Sequence, residues 1–383
     1  MSARAWSLVA FLIVFQLGSV RSVGAAEPSL NFAWTHGVCA RCQTASTVSD
    51  VQFVSPSEAW AIGYVPPGET GEGDYAILHS ADGGSRWTEL PNTYVHNEPP
   101  SLSFASRRDG LMMRVDIINA DVRLLDTRDD GAHWRRLPPS DLTLRGVQDV
   151  GGGVGYLYEA DYGARTSYVA ETSDFGRNWR SFPMPAGFNI DRMVFSDRSR
   201  GLVAGCLNGQ IAVLRTADGA LSWKIVYLDL PRMSSRDGYC GQQVDDLSLR
   251  PDGKGVILVN KRSFNNGDHS AFVEALSTTD GGRTWSSIFR KAPQIPTVTS
   301  SDAYATGYAT LFPDYTVARF IGRNTLIIAK DDGLLMVSDD GAKTWRDLHL
   351  PHPVKACRDF ATGLACAAGE SNEFWVLRIS VNH

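Results

Sequence analysis

Six times this chain writes the same eight-residue phrase, and no other feature restricts its fold as tightly. The copies run Ser80 to Trp87, Thr127 to Trp134, Thr172 to Trp179, Thr216 to Trp223, Thr278 to Trp285 and Ser338 to Trp345. A hydroxyl residue stands seven positions before each Trp and an Asp five before it. The acidic positions are Asp82, Asp129, Asp174, Asp218, Asp280 and Asp340, and glycine follows each within two residues. A short apolar run precedes every copy and a strand-like tail follows it, so the phrase reads as a hairpin turn. Asp accepts hydrogen bonds from amides further on, and Gly supplies positive φ. The Trp brings a large apolar body to lock the turn. Copies four and six carry Ala220 and Ala342 at the later Gly position, leaving Gly219 and Gly341 to make the turn.

Spacing then fixes the architecture. Successive Trp residues lie 47, 45, 44, 62 and 60 apart. A four-stranded propeller blade takes about 40–50 residues, so the two long gaps are one blade each plus an insertion. Innermost-strand candidates precede each turn: Val51–Val54, Leu102–Phe104, Gly146–Asp149, Met193–Phe195, Leu247–Leu249 and Ala318–Phe320. After the sixth turn the pattern restarts at Cys357–Phe360, Gly363–Cys366 and Phe374–Leu377, with no seventh phrase. Asn31–Thr35 supplies the missing fourth strand from the other terminus. The expectation is all-β: a seven-bladed β-propeller closed between its N- and C-terminal strands, with six blades as the alternative count.

The phrase is similar to the Asp-box, or bacterial neuraminidase repeat, over nearly the whole chain. In that family the Asp-box is structural and lies on the face away from the working site. The implied role for the six Asp and six Trp residues is therefore structural. The phrase at Phe53–Gly63 and Phe195–Gly205 resembles the non-catalytic, single-propeller group typified by the photosystem II assembly and stability factor. That resemblance implies a protein-binding or assembly scaffold. Exo-sialidases are more distant relatives. Their chemistry needs an Arg triad, a Tyr–Glu nucleophile pair and an Asp acid/base. Arg145, Arg192 and Arg319 stand near inner-strand starts as candidate axial arginines, but no Tyr–Glu partnership stands out. An exo-sialidase-like hydrolase and a non-hydrolytic glycan-binding propeller are the alternatives.

Residues 1–26 read as a signal peptide: Arg4, a short apolar run and small residues at Val23–Ala26, with 27–383 as one domain. That implies a secreted or periplasmic protein. Cys39, Cys42, Cys206, Cys240, Cys357 and Cys366 then read as disulfide formers. The expected pairing is Cys206–Cys240, with Cys39 and Cys42 joined either to each other or to Cys357 and Cys366. A net charge of −5 gives no footprint for nucleic acid. No cofactor or metal is expected, no transmembrane segment, and a monomer.

Insertions fall on the face opposite the hairpins, where loops on a rigid scaffold carry recognition. Tyr94, His96, Tyr162, Arg232, Arg236, Tyr239, Tyr304, Tyr308 and Tyr315 are the candidate binding residues. The partner class expected there is a protein or a glycan.

Overall fold

A computed structural model describes residues 30–39, 47–65, 74–91, 93, 95–96, 99–116, 121–138, 144–161, 166–228, 242–262, 271–291, 315–360, 363–369 and 374–381. They hold thirty strands in seven sheets and no helix. Each sheet is a four-stranded antiparallel meander, to which blade one adds two short strands, β2 (Val38–Cys39) and β7 (Val95–His96). The seven innermost strands are β3 (Thr47–Phe53), β8 (Ser101–Phe104), β12 (Leu144–Gly151), β16 (Phe188–Phe195), β20 (Gln242–Leu249), β24 (Tyr315–Ile321) and β28 (Val354–Phe360). Every inner strand expected from the sequence is among them.

The ring closes as the repeat demanded. β1 (Leu30–His36) pairs antiparallel with β30 (Trp375–Val381), setting Trp34 against Leu377 and Thr35 against Val376. Blade seven is thus built from both termini, which removes two open sheet edges. Six blades is excluded.

In each hairpin one carboxylate oxygen of the Asp accepts the hydroxyl two residues before it and an amide four residues after it. At Asp174 these distances are 2.9 Å from Thr172 Oγ1 and 2.9 Å from the Asn178 amide. The hydroxyl accepts in turn, as Thr172 does from the Gly176 amide at 2.8 Å. Glycine alone does not explain the turn. Every hairpin places two consecutive residues at positive φ, and Ala220 (69°) and Ala342 (72°) occupy the second position themselves. The expectation that Gly219 and Gly341 relieve these alanines is therefore corrected, since each Gly fills only the first position. Left-handed alanine costs about 1 kcal/mol, which the network around Asp218 and Asp340 offsets. The indoles act mainly by packing. Trp87 is fully buried, and only Trp179 donates its N–H, to the Gly176 carbonyl at 3.0 Å. The buried N–H groups of Trp87, Trp134, Trp223 and Trp285 have no protein acceptor.

The core runs between blades as apolar clusters, the largest joining blades three and four around Tyr156, Phe188, Ile190 and Phe195. Ring stacks fasten successive blades. Trp60 lies 3.9 Å from the Phe104 ring and Tyr156 lies 3.5 Å from the Phe195 ring, both nearly parallel. At the seam between blades seven and one, the Phe53 ring meets Phe360 at 5.3 Å in a tilted contact, and the Arg378 guanidinium lies 4.5 Å above it.

One disulfide is fully described. Cys357 and Cys366 are direct register partners on β28 and β29 (Gly363–Ala368), with Cα atoms 4.0 Å apart. This overturns a staple from Cys39 or Cys42 to either of them: the bridge lies inside blade seven. Cys39 and Cys206 are also disulfide-bonded, while Cys42 and Cys240 fall outside the described residues. Closing a loop of sequence separation 9 stabilises by about 2.5 kcal/mol through chain entropy. Replacing Cys357 and Cys366 together by Ala is expected to lower the unfolding free energy by at least that amount in urea titration. An unchanged midpoint would contradict it.

Candidate functional site

Two regions compete for function, the axial channel and the face opposite the hairpins. The channel is built from the inner strands. Six of the seven carry a bulge one turn of pleat from their start, leaving Ser49, Arg145, Asp191, Asp245, Thr316 and Lys355 as the extra residues. A bulge re-aims side chains next to a strand end. Nothing in the sequence marked these positions, because a single inserted residue does not disturb the apolar alternation around it.

Side chains of these strands stitch each blade to the next. The Gln52 amide clamps the Phe104 backbone, donating to its carbonyl at 2.7 Å and accepting its amide at 2.9 Å. Ser103 Oγ accepts the Asp149 amide at 2.9 Å. Gln148 clamps Phe195 as Gln52 clamps Phe104, at 2.9 and 2.7 Å. Asp191 accepts the Val244 amide at 3.2 Å and Asp246 the Ala318 amide at 3.0 Å. Arg319 donates to the Cys357 carbonyl at 3.1 Å. Arg358 closes the circuit, its Nε 3.1 Å from both carboxylate oxygens of Asp50. Seven blades are joined by seven such links.

This belt uses the candidate arginines. Arg319 is 9% exposed and pairs with Asp246 as well as bonding the carbonyls of Ala318 and Cys357. Arg192 donates to the carbonyls of Asp245 at 3.1 Å and Asp191 at 2.9 Å. Arg145 stands exposed at its bulge. The three do not converge on a shared anion position through any described bond. A Tyr–Glu pair does exist, and the sequence did not reveal it: Tyr156 and Glu171 face each other across β13 (Val154–Asp161) and β14 (Thr166–Thr172). It sits between blades three and four, stacked on Phe195, not on the axis. Burial drives the Tyr156 phenol far above its ordinary value, and it donates to the Arg198 carbonyl at 2.6 Å. A sialidase nucleophile needs the opposite shift.

The opposite face is defined by topology. Each hairpin joins the third and fourth strands of a blade and bonds to the turn between strands one and two, as Gly219 N does to Ser199 O at 3.0 Å. The strand ends flanking residues 66–73, 117–120, 162–165, 229–241, 263–270, 292–314 and 370–373 all lie on the other face. Of the candidate binding residues, Tyr94, Tyr162, Arg232, Arg236, Tyr239, Tyr304 and Tyr308 lie outside the described residues. His96 belongs to β7, which pairs with β5 (Asp74–Ser80). Tyr315 corrects the boundary drawn from sequence. It is the first residue of β24 and is 6% exposed, packed near Phe289, so it is core and not loop surface.

Two groups of carboxylates titrate in opposite directions. Burial pushes Asp149 and Asp191 up to about 6. Hydrogen bonds from the Asn178 backbone and side chain hold Asp174 down at about 2. At Asp280 burial pushes upward, but the Thr284 hydroxyl and amide prevail and hold it at about 2. The depressed pair stabilises the fold above the ordinary carboxylate range and loses that contribution as pH falls toward 2. The raised pair stabilises the fold least when ionised, so stability declines as pH rises from about 4 to 6. The melting temperature is therefore expected to peak near pH 4–5. Calorimetry from pH 2 to 8 checks it, and a steady rise from pH 4 to 7 would count against the buried carboxylates.

No family model matches the chain, and no curated protein matches it. Solved structures do. YCF48 bound to a D1 peptide is 16% identical with a TM-score of 0.56, covering 95% of this chain and 100% of its own. YCF48 from Cyanidioschyzon merolae is 14% identical at 0.56, covering 91% and 98%. The GH74 xyloglucanase from Xanthomonas campestris is 14% identical at 0.57, covering 88% of this chain and 52% of its own. At such identities the likeness is one of fold: this chain is a seven-bladed β-propeller of the shape shared by YCF48 and the GH74 xyloglucanase.

Proposed function

We propose that the chain is an exported, non-enzymatic Asp-box propeller that holds a protein partner on the face opposite its hairpins. The observation that carries this is the axial belt. Arg192 and Arg319 spend their donors on backbone carbonyls and Asp246, so a substrate carboxylate would have to break inter-blade links to reach them. Tyr156 is fully buried and stacked on Phe195 between blades, with Glu171 half-buried opposite it, so the pair is not placed beside the axial arginines. Disulfides at Cys39, Cys206 and Cys357–Cys366 suit an oxidising compartment, in keeping with the leader-like residues 1–26. The fold's likeness to YCF48, which has been solved with a D1 peptide, supports a protein as the partner class. Long connections on one face of a rigid ring are where such scaffolds carry recognition.

The test is affinity capture from native envelope extract, using the full chain and a variant lacking residues 292–314. The expected result is a protein captured by the full chain and lost with the segment. Retention of every captured protein by the variant would overturn the role given to that part of the face.

A further inference from the structure

Cys206 is oxidised, and among the described residues no cysteine is free. Its surroundings restrict what it can be joined to. Cys206 stands on β17 (Gly201–Leu207), the second strand of blade four. Residues two apart on a strand share a face, so it lies on the same side as Leu202 and Ala204. Its register partner on β18 (Gln210–Thr216) is Ile211. Leu202, Ala204 and Ile211 belong to one apolar cluster with Val244 and Leu247 of blade five. Cys206 therefore faces blade five, and it is 7% exposed.

With Cys357 and Cys366 joined to each other, the remaining cysteines are Cys39, Cys42 and Cys240. Cys39 belongs to β2, which runs along the outermost strand of blade one and sets Val38 and Cys39 beside Arg86 and Trp87. Around the ring, blades two and three separate that edge from blade four. Cys42 follows Cys39 by three residues, a reach of at most about 11 Å, and so stays with blade one. Cys240 comes two residues before Gln242, the first residue of β20, a reach of at most about 7 Å. β20 is the inner strand of the blade that Cys206 faces. A disulfide needs Cα atoms about 4.4–6.8 Å apart, and Cys240 alone is tied to that neighbourhood.

We propose that Cys206 is joined to Cys240 and Cys39 to Cys42, which makes the first of these bridges a covalent staple between blades four and five on the face opposite the hairpins. Cys206 lies at the end of β17 that leads into the Asn208–Gly209 turn, and the connection 229–241 enters β20 from the same face. The other two bridges each stay within one blade. Forming the staple breaks two S–H bonds and makes one S–S bond. The two electrons and two protons pass to a protein disulfide, whose own S–S bond opens to a dithiol. The seam it crosses is held in the axial belt by Asp191, which accepts the Val244 amide at 3.2 Å, and by Arg192, which donates to the Asp245 carbonyl at 3.1 Å. Both bonds end a few residues beyond Cys240, so the staple fixes the strand end that carries them. It encloses residues 206–240, a longer loop than the bridge inside blade seven, and closing a longer loop removes more chain entropy. The staple is independent of what the face binds.

Peptide mapping of the unreduced mature chain, with free thiols first blocked by iodoacetamide, reads the pairing directly. The expected result is one linked pair containing Cys206 and Cys240 and another containing Cys39 and Cys42. A peptide joining Cys39 or Cys42 to Cys206 or Cys240, or a Cys240 blocked as a free thiol, overturns the proposal. Hydrogen exchange then tests the seam. In the double variant Cys206→Ser, Cys240→Ser the Val244 amide should exchange about tenfold faster, while the Phe104 and Asp149 amides at other seams keep their wild-type rates. The double variant Cys39→Ser, Cys42→Ser should leave all three unchanged. Equal protection of Val244 in wild type and in Cys206→Ser, Cys240→Ser would overturn the staple's role at that seam.

Discussion

Arg319→Met is expected to lower the unfolding free energy by about 3–5 kcal/mol. The guanidinium lies in the ring wall, 9% exposed, and serves two blades at once. It pairs with Asp246 of blade five and donates to the Cys357 carbonyl of blade seven at 3.1 Å. Methionine fills much of the volume but leaves the Asp246 carboxylate and the Cys357 carbonyl without that donor. Removing one partner of a desolvated pair costs more than the pair contributes, because the remaining charge stays buried. The double variant Arg319→Met, Asp246→Leu removes both charges and should recover a large part of the loss. Chemical denaturation of the three proteins reads this directly. A single variant within 1 kcal/mol of wild type, on the order of a surface substitution, would mean the belt contributes little.

Trp60→Ala is expected to cost about 3–5 kcal/mol, by loss of buried area and the cavity left behind. Trp60 is completely buried and stands between His79, 4.9 Å away, and Phe104, 3.9 Å away, in one continuous stack. The Phe104 backbone is held by Gln52, so the ring cannot slide into the vacated space. Gly110 permits this packing, since a Cβ there would meet the Phe104 ring at 2.6 Å. Trp60→Phe keeps a ring against Phe104 and should lose clearly less. Equal losses in the two variants, read by urea titration, would show that neither the buried ring area nor its stacking on Phe104 governs the site.

Much of the fold is legible because a propeller repeats its own local chemistry. Hydroxyl, Asp and Gly at fixed offsets specify a turn without reference to anything distant, and their spacing counts the blades. The closing strand was legible for the same reason: Asn31–Thr35 looks like the outer strand of a blade that otherwise lacks one. The belt was not legible. Arg358 finds Asp50 across a sequence separation of 308, and nothing local to either residue names the other. The arginines could be placed near the axis, but whether they face a ligand or a neighbouring blade depends on bulges that leave no trace in the alternation. Tyr156 and Glu171 read as ordinary strand residues until register sets them opposite each other. Cysteines are legible as disulfide formers, but connectivity is not. The bridge between Cys357 and Cys366 follows from their register in a two-strand hairpin. Tyr315 reads as loop because the long stretch before it carries no strand pattern, and the first residue of a strand has no periodicity of its own.

If the axial arginines are structural, the protein does not hydrolyse sialosides. The direct measurement is release of a fluorogenic aglycone from a sialoside by the purified mature chain, beside the variant Arg192→Ala. The expected result is a rate equal to buffer for both proteins. Turnover by the wild type that disappears in Arg192→Ala would mean that Arg192 meets a substrate and not only the carbonyls of Asp191 and Asp245.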